Sequence, residues 1–400
     1  MSSKGAVPQR ADNGTWWFVV DLAGSNGRRR QVKRRGFRTK ADAQAALDDL
    51  RVAGRQGSYV APDKQTLRDY LERDWLPAVK RKLADTTWES YSRNIRHHVL
   101  PHLGDTALQQ LDGVMLDRLY THLLENGRMR GKQSKGLKPR TVRYIHTIIH
   151  AALDDAVRSR RVLFNATDHA TPPSAKSARA PEMNVWSGTE LATFLEATTG
   201  ERNRAPWMFL ATTGCRRGEA LGLRWRDLDL QTGLASIRQQ VIPLNRSEGR
   251  GREPRIVNRT KGGEPRVIEL DTRTIAMLRA WRRELAAEQL ACGDRYDDHG
   301  LVFPRPDGGP VFPETFSKAF DRRIRLPDLD DIPNIRLHDL RHTWATLALK
   351  ANVDVKVVSE RLGHSSPVVT WTIYQHVVKG MQADAAERVA DAIFGDGSTA

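Results

Sequence analysis

The stretch RLGHSSPVVTWTIYQHV (361–377) places a tyrosine, Tyr374, ten residues after the histidine of the Gly363–His364 pair. A single aromatic in an amphipathic segment is ordinarily a packing residue. It becomes a candidate nucleophile only if the rest of the chain supplies the groups that a tyrosyl oxygen needs. The wider segment VDVKVVSERLGHSSPVVTWTIYQH (353–376) also reads as a helix-turn-helix with Gly363 at the turn. Taken alone, it leaves a DNA-binding helix pair open.

Three other stretches bear on the choice. In ATTGCRRGEALGLRWRDLDL (211–230), Arg216 and Arg217 follow a glycine and begin an amphipathic helix, with Leu221, Leu223 and Trp225 to pack it. In NRTKGGEPRVIEL (258–270), Lys261 stands at a Gly-Gly turn between two predicted strands, from which it could reach a neighbouring cleft. In IRLHDLRHTWATLALK (335–350), His338 and Arg341 are spaced i, i+3 and so share a helix face. Each stretch alone has an ordinary reading as surface or packing. His338 and His342, at i, i+4, could suggest a metal pair. However, HDLRH sets an arginine beside them and lacks the glutamate of the metalloprotease pattern, so no metal is expected.

Together these residues fit phosphodiester transesterification without metal or cofactor. Tyr374 would attack phosphorus, and arginine forks match the non-bridging oxygens, where negative charge grows. A phenol has a pKa near ~10, so it needs nearby cations and a histidine to take its proton. A lysine in a turn can protonate the leaving 5′ oxygen. The phosphotyrosyl product keeps the bond energy, so a second DNA hydroxyl can reseal the strand without ATP. No P-loop pattern is present.

The bulk properties agree. Four hundred residues predict two or three domains, and 39% apolar content spread along the chain supports folded ones. Sixty-four basic against 48 acidic residues give a formal charge of +16, which points to a polyanionic partner. Two cysteines, Cys215 and Cys292, make neither a disulfide framework nor a cysteine zinc site. The sequence begins without an apolar signal core, and no apolar run approaches ~18 residues, so no membrane role and a reducing cytoplasmic compartment are expected.

Along the chain, residues 15–35 alternate as a β-hairpin around AGSNG, and FRTKADAQAALDDLRVAG then turns helical. The run 28–40 concentrates Arg28, Arg29, Arg30, Lys33, Arg34 and Arg35 with no acid among them. A small sheet with one basic face suits a major groove, while a flexible basic arm is the alternative. Residues 63–162 read as four helices, one with a capping box at Thr86 and Glu89 and with Arg93, Arg96 and His97 outside its apolar face. A DNA clamp and a plain helical spacer both fit these. Residues 165–183 read as a linker, followed by a mixed domain with strands near 234–243, 254–260 and 265–270. Asp328, Asp330 and Asp331 read as loop solubility residues.

The four stretches in this order resemble the boxes of the tyrosine recombinases of the phage-integrase type. TTGCRRGEALGLRWRDLDL is similar to the first-arginine motif, giving Arg216. TKGG before RVIEL resembles the hairpin lysine, giving Lys261. LHDLRHTWAT resembles the His-x-x-Arg box, giving His338 and Arg341. LGHSSPVVTWTIYQH resembles the nucleophile box, giving His364 and Tyr374. The resemblance implies a multidomain, mainly α fold with small β-sheets. Its parts would be an N-terminal arm-type DNA-binding domain at 1–62 (a three-stranded sheet plus helix), a helical, SAM-like core-binding domain at 63–164, a linker at 165–185, and a mixed α/β catalytic domain at 186–400. It further implies integration and excision of a phage or mobile element through a 3′-phosphotyrosyl intermediate. The partners implied are double-stranded attachment sites, a homotetramer on DNA and an accessory directionality or DNA-bending protein, in the nucleoid of a bacterial host. A type IB topoisomerase shares the chemistry but has less use for two extra DNA-binding modules. A non-enzymatic regulator gives no reason for Arg216, Lys261 and Arg341 to coexist.

Overall fold

The computed structural model describes residues 6–23, 29–55, 59–128, 136–179, 183–243, 254–258, 265–364, 366–374, 390 and 393. Lys261, Arg28 and most of the tail after Tyr374 lie outside them. The chain forms two units, Met1–Pro181 and Glu182–Ala400.

The first unit begins with an antiparallel sheet, β1 (Gln9–Arg10), β2 (Trp16–Ala23) and β3 (Arg29–Phe37), in that order. Helix α1 (Lys40–Arg55) follows, with the Thr39 hydroxyl accepting from the Asp42 amide at 3.1 Å. Phe18, Val20 and Val32 turn inward to Ala43 and Leu47 of α1. The register pairs Val19 with Lys33 and Trp17 with Arg35, and Phe18 with Arg34. Directly opposed residues share a face and successive ones alternate. Lys33 and Arg35 therefore share the open face with Trp17, and Lys33 Nζ sits 4.4 Å from the Trp17 ring centre. Arg34 belongs to the other face and is exposed. The expected single basic face is thus corrected: a run of consecutive basic residues in a strand must divide between two faces. Arg29 and Arg30 pair through their backbones with Ala23 and Leu22.

The remainder of this unit is helical. A helical run through Leu67–Asp69, Tyr70–Trp75 and Leu76–Lys80 packs with α2 (Asp85–Asn94), α3 (Gly113–Asn126) and α4 (Pro139–Arg158) around one core. The predicted inner stripe of α4, Val142, Ile145, Ile149 and Ala152, is fully buried. Tyr70 donates its hydroxyl to Ala152 O at 2.7 Å, which fixes the first run against α4. The capping box expected at Thr86 is absent: α2 starts two residues earlier than that cap requires, with Ala84 as its N-cap and no side-chain cap bond. Asp85 already supplies an acidic group to the positive end of the helix. Arg93 and Arg96 are exposed, and Arg96 is paired with Glu72 at 3.3 Å. Asn165, Ala166 and Thr167, at the start of the predicted linker, are buried, with Ala166 in the helical core. A Cβ on Gly113 would come within 2.2 Å of His169 O, so α3 must begin with glycine for this short turn to lie against it.

The second unit is built around α6 (Arg204–Thr213), which follows α5 (Gly188–Ala197) and precedes α7 (Arg217–Gly222). Strands β4 (Leu228–Asp229), β5 (Leu234–Ile237), β6 (Gln240–Ile242), β7 (Arg255–Val257) and β8 (Arg266–Glu269) form a three-stranded β4-β5-β8 sheet and a β6-β7 pair. The strands flanking Lys261 therefore pair with other strands, β7 with β6 and β8 with β5. Helices α8 (Thr272–Cys292), α9 (Pro313–Arg323), α10 (Asp339–Lys350) and α11 (Val355–Leu362) complete the unit. Trp186, Phe194, Trp207 and Phe320 interlock at its centre, with Trp186 and Phe194 ring centres 5.0 Å apart. Such aromatic contacts stabilise beyond their buried area.

Asp328 is more than a solubility residue. It grips the buried Arg323 in a fork, at 2.9 and 2.7 Å, while Glu201 takes the Arg323 Nε at 2.5 Å and Ala197 O takes a fourth bond. This ties α9 to the end of α5. Truncation by Arg323→Ala should cost about 2 kcal/mol, because both carboxylates can rehydrate, and lower the melting temperature by about 4–8 °C. Thermal melting monitored by circular dichroism checks this.

Candidate active site

Four elements bring the predicted residues together. Helix α6 stops at Gly214, whose backbone is left-handed at φ 67°. A Cβ there would press within 2.8 Å of Leu362 and 2.9 Å of Trp344. The tight stop lets the chain reverse and places Arg216 at the N-cap of α7. From there the Glu219 carboxylate reaches back one turn. It accepts the Arg216 amide at 3.0 Å and the Arg216 guanidinium at 2.9 Å.

Glu219 is completely buried and holds a second cation. Arg266, from β8, donates to its two oxygens at 3.1 and 2.6 Å and gives its Nε to Arg361 O at 2.8 Å. Burial raises the carboxyl, but the Arg266 hydrogen bond and charge and the Arg216 charge outweigh it, so Glu219 titrates below its usual range. It is ionised at neutral pH and fixes two guanidinium groups in place.

Helix α11 ends at Gly363, also left-handed at φ 65°, and the carbonyls of this turn point at the arginines. Arg216 donates to Gly363 O at 2.9 Å. Arg341, 4% exposed on α10, donates to Leu362 O at 2.7 Å and to Gly214 O at 2.8 Å. Each guanidinium has five N–H donors. Among the described residues, these bonds use two on each, which leaves donors for a further anion. Burial and the Arg216 charge hold Arg341 down to about 10, so it remains a cation at neutral pH.

The histidines flank this pair. His364 follows the turn and shares a 2.7 Å hydrogen bond between its Nδ1 and Thr370 Oγ1. Desolvation, then Arg341 and Arg216, hold its imidazole down to about 4. His338 stands immediately before α10 as its N-cap, one side open to solvent. Protein packed on its other sides, then His342 and Arg341, push it to about 4 as well. Both imidazoles are neutral at pH 7, hydrogen-bonding groups and not further cations. Tyr374 lies in a helical stretch, 367–374, with its ring 1% exposed against Ala345, Leu349, Val358 and Leu362. Burial raises its phenol, and Arg341 is the group that lowers it.

Arg216, Arg341, His338, His364 and Tyr374 thus share one site. Arg217 turns away to Pro313 O at 2.9 Å and Ser317 Oγ at 2.6 Å and serves the fold. Three contributors escaped the sequence reading: Glu219, Arg266 and His342. Glu219 had a signal, since it occupies the capping-box position three residues after Arg216. Arg266 had none beyond a strand pattern. Among the described residues, no three His, Cys, Asp or Glu side chains group as metal ligands, and no helix is long and apolar enough to cross a membrane.

Comparison with known proteins decides the family. Residues 188–381 match the model of the phage integrase family, 9–53 that of an arm DNA-binding domain, and 66–124 that of the phage integrase N-terminal SAM-like domain. The chain belongs to the phage integrase family of tyrosine recombinases. It is a site-specific recombinase of the integrase kind, and therefore an enzyme. A tyrosine recombinase XerC-like protein of Caldanaerobacter subterraneus is 24% identical over 389 residues, covering 95% of this chain and 97% of the relative. An integrase of Streptomyces ambofaciens is also 24% identical, covering 95% and 93%. Among solved structures, the Tn1549 transposon integrase in complex with transposon right end DNA superposes with a TM-score of 0.65 at 18% identity, covering 81% of this chain and 99% of that one. A lambda integrase tetramer bound to a Holliday junction gives 0.57 at 14% identity, covering 92% and 94%. These two likenesses bear out the mainly helical, multidomain fold with small sheets.

Proposed function

We propose that the enzyme cuts and rejoins DNA at specific sites, with Tyr374 forming a 3′-phosphotyrosyl link. Arg216 and Arg341 hold the scissile phosphate, His338 and His364 hydrogen-bond its oxygens, and Lys261 protonates the leaving 5′ oxygen. The observation that carries this reading is the convergence of both arginines on the Leu362–Gly363 turn, with Arg341 within electrostatic reach of the Tyr374 phenol. Fixed cations in a dry site stabilise a transition state whose oxygens gain charge more than they stabilise the ground state. Guanidinium forks match two of those oxygens at once.

The remaining assignments follow the same reading. Residues 1–62 bind distant arm sites through Lys33, Arg34 and Arg35 beside Arg28, Arg29 and Arg30. Residues 63–164 grip the core site, with Arg93 and Arg96 toward phosphates, and 165–185 connect them to the catalytic domain at 186–400. A homotetramer on two duplexes, helped by a directionality or DNA-bending protein, carries a phage or mobile element in and out of a bacterial chromosome. The formal charge of +16 supports so extended a DNA contact.

If protein cations do the work of a metal, cleavage and joining of a core-site duplex persist in excess EDTA without ATP. An assay of both steps on labelled DNA should show rates within about twofold of those without chelator. Loss of cleavage in EDTA would favour carboxylate-metal chemistry.

A further inference from the structure

His342 is the group that touches the tyrosine. Its Nδ1 lies 2.7 Å from Tyr374 Oη, and among the described residues the phenol has no second hydrogen-bond partner. His338 meets His342 and not the phenol, with ring centres 5.2 Å apart and planes nearly perpendicular. Tyr374 is 1% exposed, so bulk water has almost no access to its proton while the ring sits there. A buried phenol with one basic neighbour has one place to send that proton.

We propose that His342 is a catalytic residue, the base that removes the Tyr374 proton during cleavage and the acid that returns it during rejoining. This rests on Tyr374 being the nucleophile. The Oη–H bond breaks as the proton passes to Nδ1, while the Oη–P bond forms and the P–O5′ bond breaks. The leaving oxygen takes its proton from a separate donor, in our reading Lys261. Rejoining reverses each step, and the imidazolium restores the phenol. For Nδ1 to accept, Nε2 must carry the ring proton in the resting state.

The surroundings suit this role. Burial depresses His342, Arg341 and Arg336 depress it further, and Asp339 opposes them, so the imidazole rests neutral. Among the described residues, the ring of His338 and the His364 side chain, whose own imidazole senses His342, are the other titratable groups nearby. Arg341 acts on both partners. It lowers the phenol and the imidazole together and eases the transfer without trapping the proton on either.

The test measures single-turnover covalent attachment of the full chain to a nicked suicide duplex, for wild type, Tyr374→Phe, His342→Ala and His342→Gln. Glutamine keeps an acceptor for the phenol and fills the space but cannot take the proton, which guards against a simple folding loss. Both His342 variants should bind the duplex normally and form the adduct about 10²-fold more slowly or worse. Their rates should climb about tenfold per pH unit, since hydroxide must then remove the proton. A 5′-bridging phosphorothiolate, whose sulfur departs without a proton, should leave the deficit in place. Rates within about threefold of wild type, a slow rate flat in pH, or recovery with the sulfur substrate would each overturn the role of His342. An adduct in Tyr374→Phe would instead overturn the nucleophile itself, so the two failures are distinguishable.

Discussion

Replacing Arg341 by lysine should slow covalent cleavage by about 10²-fold or more while leaving DNA site binding nearly unchanged. Arg341 is almost fully buried and spans two carbonyls, Gly214 O and Leu362 O, from one planar group. A lysine ammonium keeps the charge but cannot hold both carbonyls and face a phosphate in fixed geometry. The loss falls on the transition state, where a single preorganised donor is worth about 2.7–4 kcal/mol. Single-turnover cleavage of a suicide duplex measures it, with a gel-shift assay for binding in parallel. Near-normal cleavage would mean that the arginine braces the Leu362–Gly363 turn and takes no part in the chemistry.

The second large effect is on stability. Glu219→Ala removes the one carboxylate between Arg216 and Arg266 and leaves two packed guanidinium groups without their counterion. Breaking a buried pair in this way costs about 3–5 kcal/mol, so the melting temperature of the catalytic unit should fall by on the order of 10 °C. Glu219→Gln, which keeps an acceptor, should fall by less. The pH dependence has a definite sign. Glu219 titrates lower in the folded protein than in the unfolded chain. Its stabilisation is therefore complete above about pH 4.3 and fades as pH drops through the folded value. Wild type should lose stability below that point more steeply than Glu219→Ala, and melting curves from pH 7 to pH 3 check this.

The chemistry-bearing residues were legible because their identities are unusual and their order is fixed. Arg216, His338, Arg341, His364 and Tyr374 each stand in a short stretch whose glycine or helix start gives the backbone conformation away. The geometry between them was not legible. Arg216 and Tyr374 are 158 residues apart in sequence (374 − 216), and local periodicity says nothing about which carbonyl a guanidinium will meet. His342 is not legible as a partner of Tyr374: its i, i+4 spacing from His338 suggests only a metal pair, which HDLRH does not support, and the phenol lies 32 residues away on another helical segment. Arg266 looked like one more cation on a strand, since a buried ion pair leaves no mark on alternation. The single basic face expected of the N-terminal sheet failed for a local reason. Charge counted along the run hides the two-residue period that divides Lys33 and Arg35 from Arg34. Thr86 failed because a good cap residue two positions past the N-cap is simply a first-turn residue.

The account depends on Tyr374 carrying the DNA. The most direct measurement traps the enzyme on a nicked duplex whose cleaved fragment diffuses away, digests the adduct, and identifies the DNA-linked peptide by mass spectrometry. The expected peptide contains Tyr374 joined to a 3′ phosphate, and Tyr374→Phe gives none. A link to another residue, such as Tyr296, or an adduct that survives in Tyr374→Phe, would contradict it.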